Sequence, residues 1–189
     1  MTTVHYGMAL AETERGAAHR ALVAELALPP DAPLVGMVCR LIEQKGVVYG
    51  LRAFALVTAQ FPAAHLVIAG EGRQRAALEA EAKTLGIADR THFLGWRTDT
   101  PQLLAALDIL LMPSLWEGFG LVMLEAMAQT VPIIGSAVSA IPEVVVDGET
   151  GLLVPPRDTV ALADALAHLL ADAALRRHMG LLGQDRLET

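Results

Sequence analysis

The stretch of sequence with the clearest chemical content places two glutamates around a glycine-rich turn. Glu117 is followed by two glycines, Gly118 and Gly120, and Glu125 lies inside the apolar segment that comes next. Glycines allow a backbone to approach a ligand closely, and the free amides at the start of a helix attract phosphate. We therefore predict a strand end, a turn and a helix that begins near Gly120, with both carboxylates facing one cleft. Taken alone, a pair of glutamates at this spacing would equally fit one surface residue and one ordinary helix residue.

Two cations follow the first strongly apolar run of the chain. Arg40 comes directly after that run, and Lys45 lies five residues further on, just before Gly46. An arginine binds phosphate oxygens as a planar fork, and a lysine binds them as a point charge. Alone, such a pair is more typical of solvated surface, but together with the glutamate stretch it predicts a diphosphate site.

Further candidates for the same cleft follow other apolar runs. Residues 141–143 and 147–154 contain an Ile-Pro-Glu sequence and a glycine-rich turn, and they either shape the cleft floor or merely join two elements. Trp96 comes directly after Phe-Leu-Gly at residues 93–95, and it either stacks near a nucleotide base or packs under the next loop. The sequence leaves both pairs of alternatives open.

Short apolar runs without polar/apolar alternation position these residues. Such runs predict strands that are covered on both faces, and they occupy residues 34–39, 65–69, 108–112, 131–134 and 151–154, with 91–94 as a weaker candidate. Helical patterns separate them, at 47–55, at 73–85 and after Asp158, which is a candidate N-cap. This alternation predicts an α/β fold with a Rossmann-like, doubly wound parallel sheet. Ligands bind such sheets beyond the carboxyl ends of the strands, which is where the candidate residues stand.

The composition argues for a folded domain and against a nucleic-acid binder. The 189 residues are 53% hydrophobic and 19% charged, which fits one domain with a sizeable core. The net charge of −7 argues against a basic stripe for nucleic acid, although a few placed cations can still hold a small phosphorylated ligand. The single cysteine, Cys39, cannot form an internal disulfide and is expected to be a small buried side chain. The sequence shows no metal-ligand cluster.

The sequence contains neither a signal-peptide pattern nor a membrane-span pattern. Residues 1–10 lack a basic start with an apolar stretch, and no apolar segment approaches the roughly 20 residues of a membrane-spanning helix. We therefore expect a soluble, cytoplasmic protein. The six histidines are scattered along the chain, and packing at the surface or at strand ends is expected of each.

Together and in order, these motifs resemble the donor-binding domain of the GT4-like retaining glycosyltransferases (glycosyl transferases group 1). The resemblance runs from about residue 34 to residue 170. Arg40 and Lys45 match the family's RLxxxKG motif, and the two glutamates match its EX7E motif. The other matches are a GxG turn at 70–72, an FLG segment at 93–95 and a DGxTGxLV segment at 147–154.

The resemblance implies the C-terminal half of a GT-B architecture. Residues 1–33 are then an interdomain linker segment and helix, and residues 34–189 are the nucleotide-sugar-binding domain. Residues 4–7, Val-His-Tyr-Gly, resemble the family's linker. The N-terminal, acceptor-binding domain is expected to be absent from this chain, so the isolated chain is expected to bind donor without transferring sugar. Acceptor choice and any membrane contact would belong to that other domain.

The resemblance also implies a role for each matched residue. Arg40 and Lys45 would stabilise the diphosphate leaving group, Glu117 would hold sugar hydroxyls, and Glu125 would hold the ribose. The donor would be a UDP-, GDP- or ADP-sugar, transfer would be retaining, and neither a metal nor another cofactor would be needed. The implied catalytic residues are Glu117, Arg40 and Lys45. The implied donor-binding residues are Gly72, Gly118, Phe119, Gly120, Leu121 and Glu125.

The chain departs from the family where Ser139 and Ala140 replace a usual Gly-Gly, which would put two small side chains beside the sugar. A dinucleotide-binding dehydrogenase would need GxGxxG after the first strand, and a nucleophile-elbow hydrolase would need GxSxG. Neither motif occurs. A sugar-nucleotide epimerase of similar architecture would need acid/base groups outside the matched motifs. The remaining alternative is a nucleotide-binding module without catalysis of its own.

Overall fold

The central element of the fold is one parallel sheet, seen in a computed structural model that describes residues 13–187. Its strands are β1 (Leu34–Val38), β2 (His65–Ala69), β3 (Thr91–Gly95), β4 (Ile109–Met112), β5 (Ile133–Ser136) and β6 (Gly151–Val154). They lie in the order β3-β2-β1-β4-β5-β6, and every pairing is parallel. The predicted Rossmann-like sheet is therefore confirmed. β5 begins later than the predicted run because the Val131 amide still donates to the Ala126 carbonyl in the preceding turn.

Helices cover both faces of this sheet. They are α1 (Arg15–Glu25), α2 (Val47–Val57), α3 (Arg75–Thr84), α4 (Thr100–Ala106), α5 (Leu121–Ala128), α6 (Ile141–Val144), α7 (Thr159–Ala171) and α8 (Ala173–Arg186). One apolar cluster joins one face of the sheet to α2, α3 and α7. A second cluster joins the other face to α1, α4 and α5. Burial on both faces explains why the strand sequences are apolar without alternation.

Aspartates begin the two C-terminal helices. The Asp158 carboxylate accepts hydrogen bonds from the amides of Val160 and Ala161, at 3.1 and 2.9 Å, which confirms the predicted N-cap of α7. Asp172 does the same for α8 by accepting from the Leu175 amide at 2.9 Å. Each cap satisfies backbone donors that have no partner inside the helix.

Helix α1 is an integral part of one helical layer. Its Leu22 and Val23 are each 4% exposed and belong to the second apolar cluster. The Arg15 guanidinium donates to the Leu107 carbonyl at 2.9 Å and to the Thr130 carbonyl at 2.6 Å. Those carbonyls follow α4 and α5, so one side chain ties three helices together. The predicted linker at residues 4–7 lies outside the described residues.

The order of the strands reverses beside β1, because β2 lies on one side of it and β4 on the other. Crossovers that leave β1 and β4 therefore turn to opposite faces, and a crevice opens beyond the carboxyl ends of these strands. In residues 13–187, no helix combines the length and apolar composition that crossing a bilayer requires.

At the opposite edge, two histidines pair across neighbouring strands. His65 Nδ1 lies 3.1 Å from His92 Nε2, and the ring centroids are 5.2 Å apart. Strand-end packing is thus confirmed for these two histidines. Burial lowers the pKa of His65, with Arg90 adding to the effect and Asp89 opposing it. Burial and the His65 charge lower the pKa of His92.

This pair predicts a stability that falls in mild acid. Because both pKa values are lower in the folded protein, the unfolded chain binds more protons once the pH drops below about 6.5, the ordinary histidine pKa. The contribution of this pair to the midpoint of thermal unfolding is therefore expected to decrease from pH 7 down to the lowered pKa values and to change no further below them. The His65→Asn/His92→Gln double variant should show a shallower decrease than the unaltered chain. Equal slopes for the two proteins would contradict the assignment.

Candidate functional site

A cavity of about 240 Å³ lies beyond the carboxyl ends of β1, β2 and β3 and against α5. Its position is the one that the strand order favours for a ligand. The residues that line it are Val38, Cys39, Arg40, Ala69, Gly70, Glu71, Trp96, Arg97, Thr100, Val122 and Glu125.

The loops around this cavity are joined to one another through their backbones. The Gly70 amide donates to the Gly95 carbonyl at 2.7 Å, and the Leu41 amide donates to the Glu71 carbonyl at 2.8 Å. At Gly72 a Cβ atom would lie 2.3 Å from the Leu41 carbonyl oxygen, so the two loops can approach only because this residue is glycine. Gly72 therefore packs loop against loop and does not line the cavity.

The predicted cations Arg40 and Lys45 occupy different environments. Arg40 lines the cavity and is exposed, and within the described part of the chain no carboxylate lies within 4 Å of it. Lys45 lies at the end of a short 3₁₀ turn (Glu43–Lys45) and forms an ion pair with Glu117. Arg40 is thus available to a ligand, while Lys45 already has an internal partner.

The Lys45–Glu117 pair is almost fully buried, with the two side chains 14% and 7% exposed. Ser114 Oγ adds a 3.5 Å contact to the same carboxylate oxygen. The pair is held by two adjoining loops, since the Leu115 amide donates to the Gln44 carbonyl at 2.8 Å. This arrangement fixes an ammonium and a carboxylate in low-dielectric surroundings, where charges act strongly.

The buried pair lies close enough to the cavity to influence a residue in its wall. Burial raises the pKa of the Cys39 thiol to about 12, while Lys45 lowers it and Glu117 raises it. Cys39 lines the cavity and ends the run that begins with β1. The ion pair therefore adjoins the cavity at Cys39, although neither of its members lines it.

The glycine-rich turn leads into α5, as predicted. Gly120, with φ of +75°, is the N-cap of this helix, and no side chain caps this end. The Met123 amide donates to the Gly120 carbonyl at 2.8 Å, and the amide of Leu121, at the start of the helix, is left for solvent or for an anion. Gly118 is exposed, and the side chains of Phe119 and Leu121 are 47% and 43% exposed on the same turn.

The two predicted glutamates are separated by this turn. Glu125 lies in the wall of the cavity, while Glu117 is buried against Lys45 and is not among the lining residues. Burial raises the pKa of the Glu125 carboxyl. A carboxylate in such a wall gains from hydroxyl donors that replace lost water. Both carboxylates were expected to face one cleft. In the structure only Glu125 lines the cavity, and Glu117 does not.

Sequence reasoning missed three polar residues of the cavity wall, Glu71, Arg97 and Thr100. Arg97 follows directly after Trp96, which was considered because it stands at a strand end. Trp96 lines the cavity and is 74% exposed, so it does not pack under the next loop. Trp96 was considered because it lies close to the end of β3. Arg97 lies equally close, so the same criterion would have identified it as a candidate.

The segment between α6 and β6 serves as a connection. The Leu153 amide donates to Asp147 Oδ1 at 2.8 Å, and the Val146 amide donates to Thr150 Oγ1 at 2.9 Å. None of these residues lines the cavity. Ser139 has φ of +50°, a conformation that glycine adopts without strain, which is why a glycine suits this position.

Within residues 13–187 there is no cluster of three or more histidine, cysteine, aspartate or glutamate side chains that could hold a metal ion. The cations and helix terminus of the site are instead suited to an anionic ligand.

Comparison with known proteins agrees with this fold. The profile of a family described as glycosyl transferases group 1 matches residues 19–186. The lipopolysaccharide core biosynthesis glycosyltransferase LpsE of Rhizobium meliloti is 35% identical over 164 residues, covering 87% of this chain and 47% of LpsE. HepE of Anabaena, solved in complex with UDP-glucose, superposes with a TM-score of 0.85 at 27% identity, covering 93% of this chain and 48% of HepE. The C-terminal domain of the group 1 protein LpcC from Francisella tularensis superposes with a TM-score of 0.81 at 30% identity, covering 90% of this chain and 91% of that domain.

Proposed function

This chain belongs to the glycosyl transferases group 1 family, and from that membership we propose that it is the donor-binding half of a two-domain, GT-B-type glycosyltransferase. The chain spans about half the length of LpsE and of HepE, so the activity of a whole enzyme is part of the proposal. We further propose a retaining transfer from a nucleoside diphosphate sugar that needs no metal ion.

One observation carries the proposal. A cavity at the switch point of the sheet is bordered by a free arginine, a half-buried carboxylate and the uncapped N-terminus of α5, with a buried ammonium beside it. Cations and helix amides suit a diphosphate, and a carboxylate suits ribose hydroxyls. A nucleoside diphosphate contains both chemical groups in one molecule.

Each residue has a role in this proposal. Arg40 and Lys45 offset the negative charge that develops on the departing diphosphate, which is electrostatic preorganisation. An ammonium has three N–H donors, so Lys45 can bind a phosphate oxygen while it keeps Glu117. The amides of Gly118, Gly120 and Leu121 add to the same anion site. Glu117, which was expected to hold sugar hydroxyls, instead holds the Lys45 ammonium in place, and Glu125 accepts hydrogen bonds from the ribose.

Binding of nucleoside diphosphates tests the proposal. UDP is the first ligand to try because HepE was solved with UDP and with UDP-glucose, and GDP and ADP test the other bases. A ligand that binds only the folded chain stabilises it by about 2.7 kcal/mol at a hundredfold excess over its dissociation constant. We expect one of the three to raise the midpoint of thermal unfolding equally with and without EDTA.

Two substitutions and a control make this measurement specific to the site. Arg40→Ala and Glu125→Gln are expected to weaken binding at least about tenfold, which corresponds to roughly 1.4 kcal/mol. Arg177→Ala removes an exposed arginine near the amino ends of β4 and β5 and should leave binding unchanged. Binding that requires a divalent metal, or that ignores both substitutions, would refute the proposed site.

A second candidate function is nucleotide binding without catalysis of its own. GT-B enzymes complete their site by closing two lobes over it, so we expect the isolated chain to bind donor but transfer no sugar. Turnover of a nucleotide sugar by this polypeptide alone would show that expectation to be wrong.

A further inference from the structure

A further cavity lies at the edge of the sheet opposite the cavity that Glu125 lines. It has a volume of about 440 Å³ and borders Asp108 and Pro132, the residues directly before β4 and β5. Because all the strands are parallel, their amino ends lie together, on the far side of the sheet from the proposed donor site. The two cavities have no lining residue in common.

Three arginines line this cavity, which we call the arginine cavity. Arg15 comes from α1, and Arg176 and Arg177 are successive residues of α8. The wall also contains the carboxylate of Asp108, whose Oδ2 already accepts the Leu34 amide at 2.8 Å. In the described part of the chain, no carboxylate lies within 4 Å of the three guanidinium groups. Positive charge therefore exceeds negative charge in this wall, although the whole chain carries a net charge of −7.

Arg176 is held in place and still has donors to spare. Its Nη1 donates to the Leu169 carbonyl at 2.5 Å and to the Leu170 carbonyl at 3.0 Å. Its Nε and Nη2 donate to no group within residues 13–187. Since a guanidinium has five N–H donors, those two nitrogens keep their protons for a ligand. A donor that is already fixed loses little freedom when it binds.

Capping of helix ends accounts for part of this arrangement. Arg176 satisfies carbonyls at the end of α7, as Arg15 does after α4 and α5. Arg177 has no such task, because it is exposed and forms neither a hydrogen bond nor an ion pair with the residues that the structure describes. The wall therefore offers more cationic donors than the capping of these helices uses.

Like charges lie close together in this wall. Burial lowers the pKa of Arg15, and the charge of Arg176 lowers it further, while Asp108 opposes both effects. An anion placed between two guanidinium groups that repel each other stabilises the charged form of both.

The walls of the arginine cavity are held together by a close backbone contact. At Gly180, in α8, a Cβ atom would lie 2.0 Å from the Thr130 carbonyl oxygen, so the helix can approach this turn only because the residue is glycine. Arg15 donates to the same carbonyl at 2.6 Å and to Thr130 Oγ1 at 3.2 Å. One turn thus positions the arginine of α1 relative to those of α8.

We propose that the arginine cavity binds the phosphate group of a phosphate monoester, with Arg176 and Arg177 as its direct ligands and Arg15 adding positive charge. Guanidinium groups bind phosphate oxygens as planar forks. A volume of about 440 Å³ is in the range of small-molecule sites, so the organic part of the ligand also has room. The same group is presented by a soluble phosphorylated compound and by the headgroup of a lipid. This inference goes beyond the proposed function and does not depend on it.

Inorganic phosphate is the first probe. The chain is prepared with isotope-labelled arginine, and the Nε–H signals are followed by NMR at constant ionic strength, each being identified by its loss in a substitution variant. We expect saturable shifts of the Arg176 and Arg177 signals. Arg177→Gln should weaken phosphate at least about tenfold, as measured on the Arg176 signal, because a charge-assisted hydrogen bond is lost. The net charge of −7 disfavours general attraction of phosphate, so a saturable shift reports a local site.

Two variants locate the binding. Arg157→Gln changes an exposed arginine before α7, on the carboxyl side of β6, and should leave the phosphate affinity unchanged. Arg40→Ala should also leave the response of Arg176 unchanged, which excludes binding at the proposed diphosphate site. Equal thermal midpoints of Arg177→Gln and the unaltered chain in phosphate-free buffer show that the variant is folded.

Two further ligands identify the source of the phosphate. Glycerol phosphate is a soluble monoester, and vesicles of phosphatidylcholine and phosphatidic acid in equal amounts present the same group on a surface. Shifts of the Arg176 signal by glycerol phosphate support a soluble ligand, and co-sedimentation with the vesicles that Arg177→Gln abolishes supports a lipid headgroup.

Two results would overturn the inference. One is a phosphate response that is equal at Arg157 and Arg177, which would mean that every exposed arginine attracts the anion alike. The other is an affinity that Arg177→Gln leaves unchanged. Both results leave the nucleotide titration at Arg40 and Glu125 untouched, so the proposed function is judged separately.

Discussion

Replacing Lys45 with alanine is expected to lower the free energy of unfolding by about 3–5 kcal/mol, the usual cost of removing one partner from a buried ion pair. The Glu117 side chain is only 7% exposed, so its charge would keep only the 3.5 Å contact from Ser114 Oγ and would have little access to water. Denaturant unfolding of the variant and of the unaltered chain measures the difference.

A surface pair and a double variant provide the controls. Arg52 pairs with Glu81 at 2.7 Å, but the Arg52 side chain is 48% exposed, so Arg52→Ala should cost at most about 1 kcal/mol. Lys45→Met/Glu117→Leu removes both buried charges and should recover much of the stability while abolishing donor binding. A Lys45→Ala effect as small as that of Arg52→Ala would show that the Lys45–Glu117 pair is well solvated.

The second large effect is expected at Gly46, which joins Lys45 to α2. Gly46 has φ of +60°, and a Cβ atom there would lie 2.0 Å from the Pro113 carbonyl oxygen. Gly46→Ala therefore combines a left-handed conformation, which costs roughly 1–2 kcal/mol, with a backbone clash that forces the two phosphate-site loops apart. We expect a loss of about 3 kcal/mol or more in unfolding free energy, together with loss of nucleotide binding.

Gly86 is the matched control for this variant. It has φ of +70°, and no atom lies within 4 Å of where its Cβ would be. Gly86→Ala should cost only the conformational part, about 1–2 kcal/mol, and should leave binding intact. Equal losses for the two variants would mean that the contact with Pro113 does not constrain the loops.

The fold was predictable because its signals are local. Apolar runs without alternation identified the strands, and β2 and β6 begin and end as their runs do. The Asp158 cap could be predicted for the same reason, since a carboxylate and the amides it binds lie within three residues of each other. The edge of the sheet that holds the site then followed from the general rule for parallel sheets.

The different positions of the two glutamates within the site could not be predicted in the same way. Glu117 and Glu125 have the same chemistry, and only the turn at Gly120 and the position of Lys45 decide that one is buried in a pair and the other lines the cavity. The ion pair between Arg97 and Glu25 could not be predicted for a similar reason. Glu25 lies 72 residues away from Arg97, and no local pattern links the two.

The way in which Arg15 ties α1 to the ends of α4 and α5 affects how such modules can be exchanged between enzymes. A chimaera cut at Leu34, where the first strand begins, would leave the carbonyls of Leu107 and Thr130 without their donor and would uncover the groove that Leu22 fills. It would also remove Glu25, which forms an ion pair with Arg97 in the wall of the cavity. The transferable unit therefore begins no later than the Glu14 cap of α1, and a graft designed from the strand pattern alone would carry over an incomplete core.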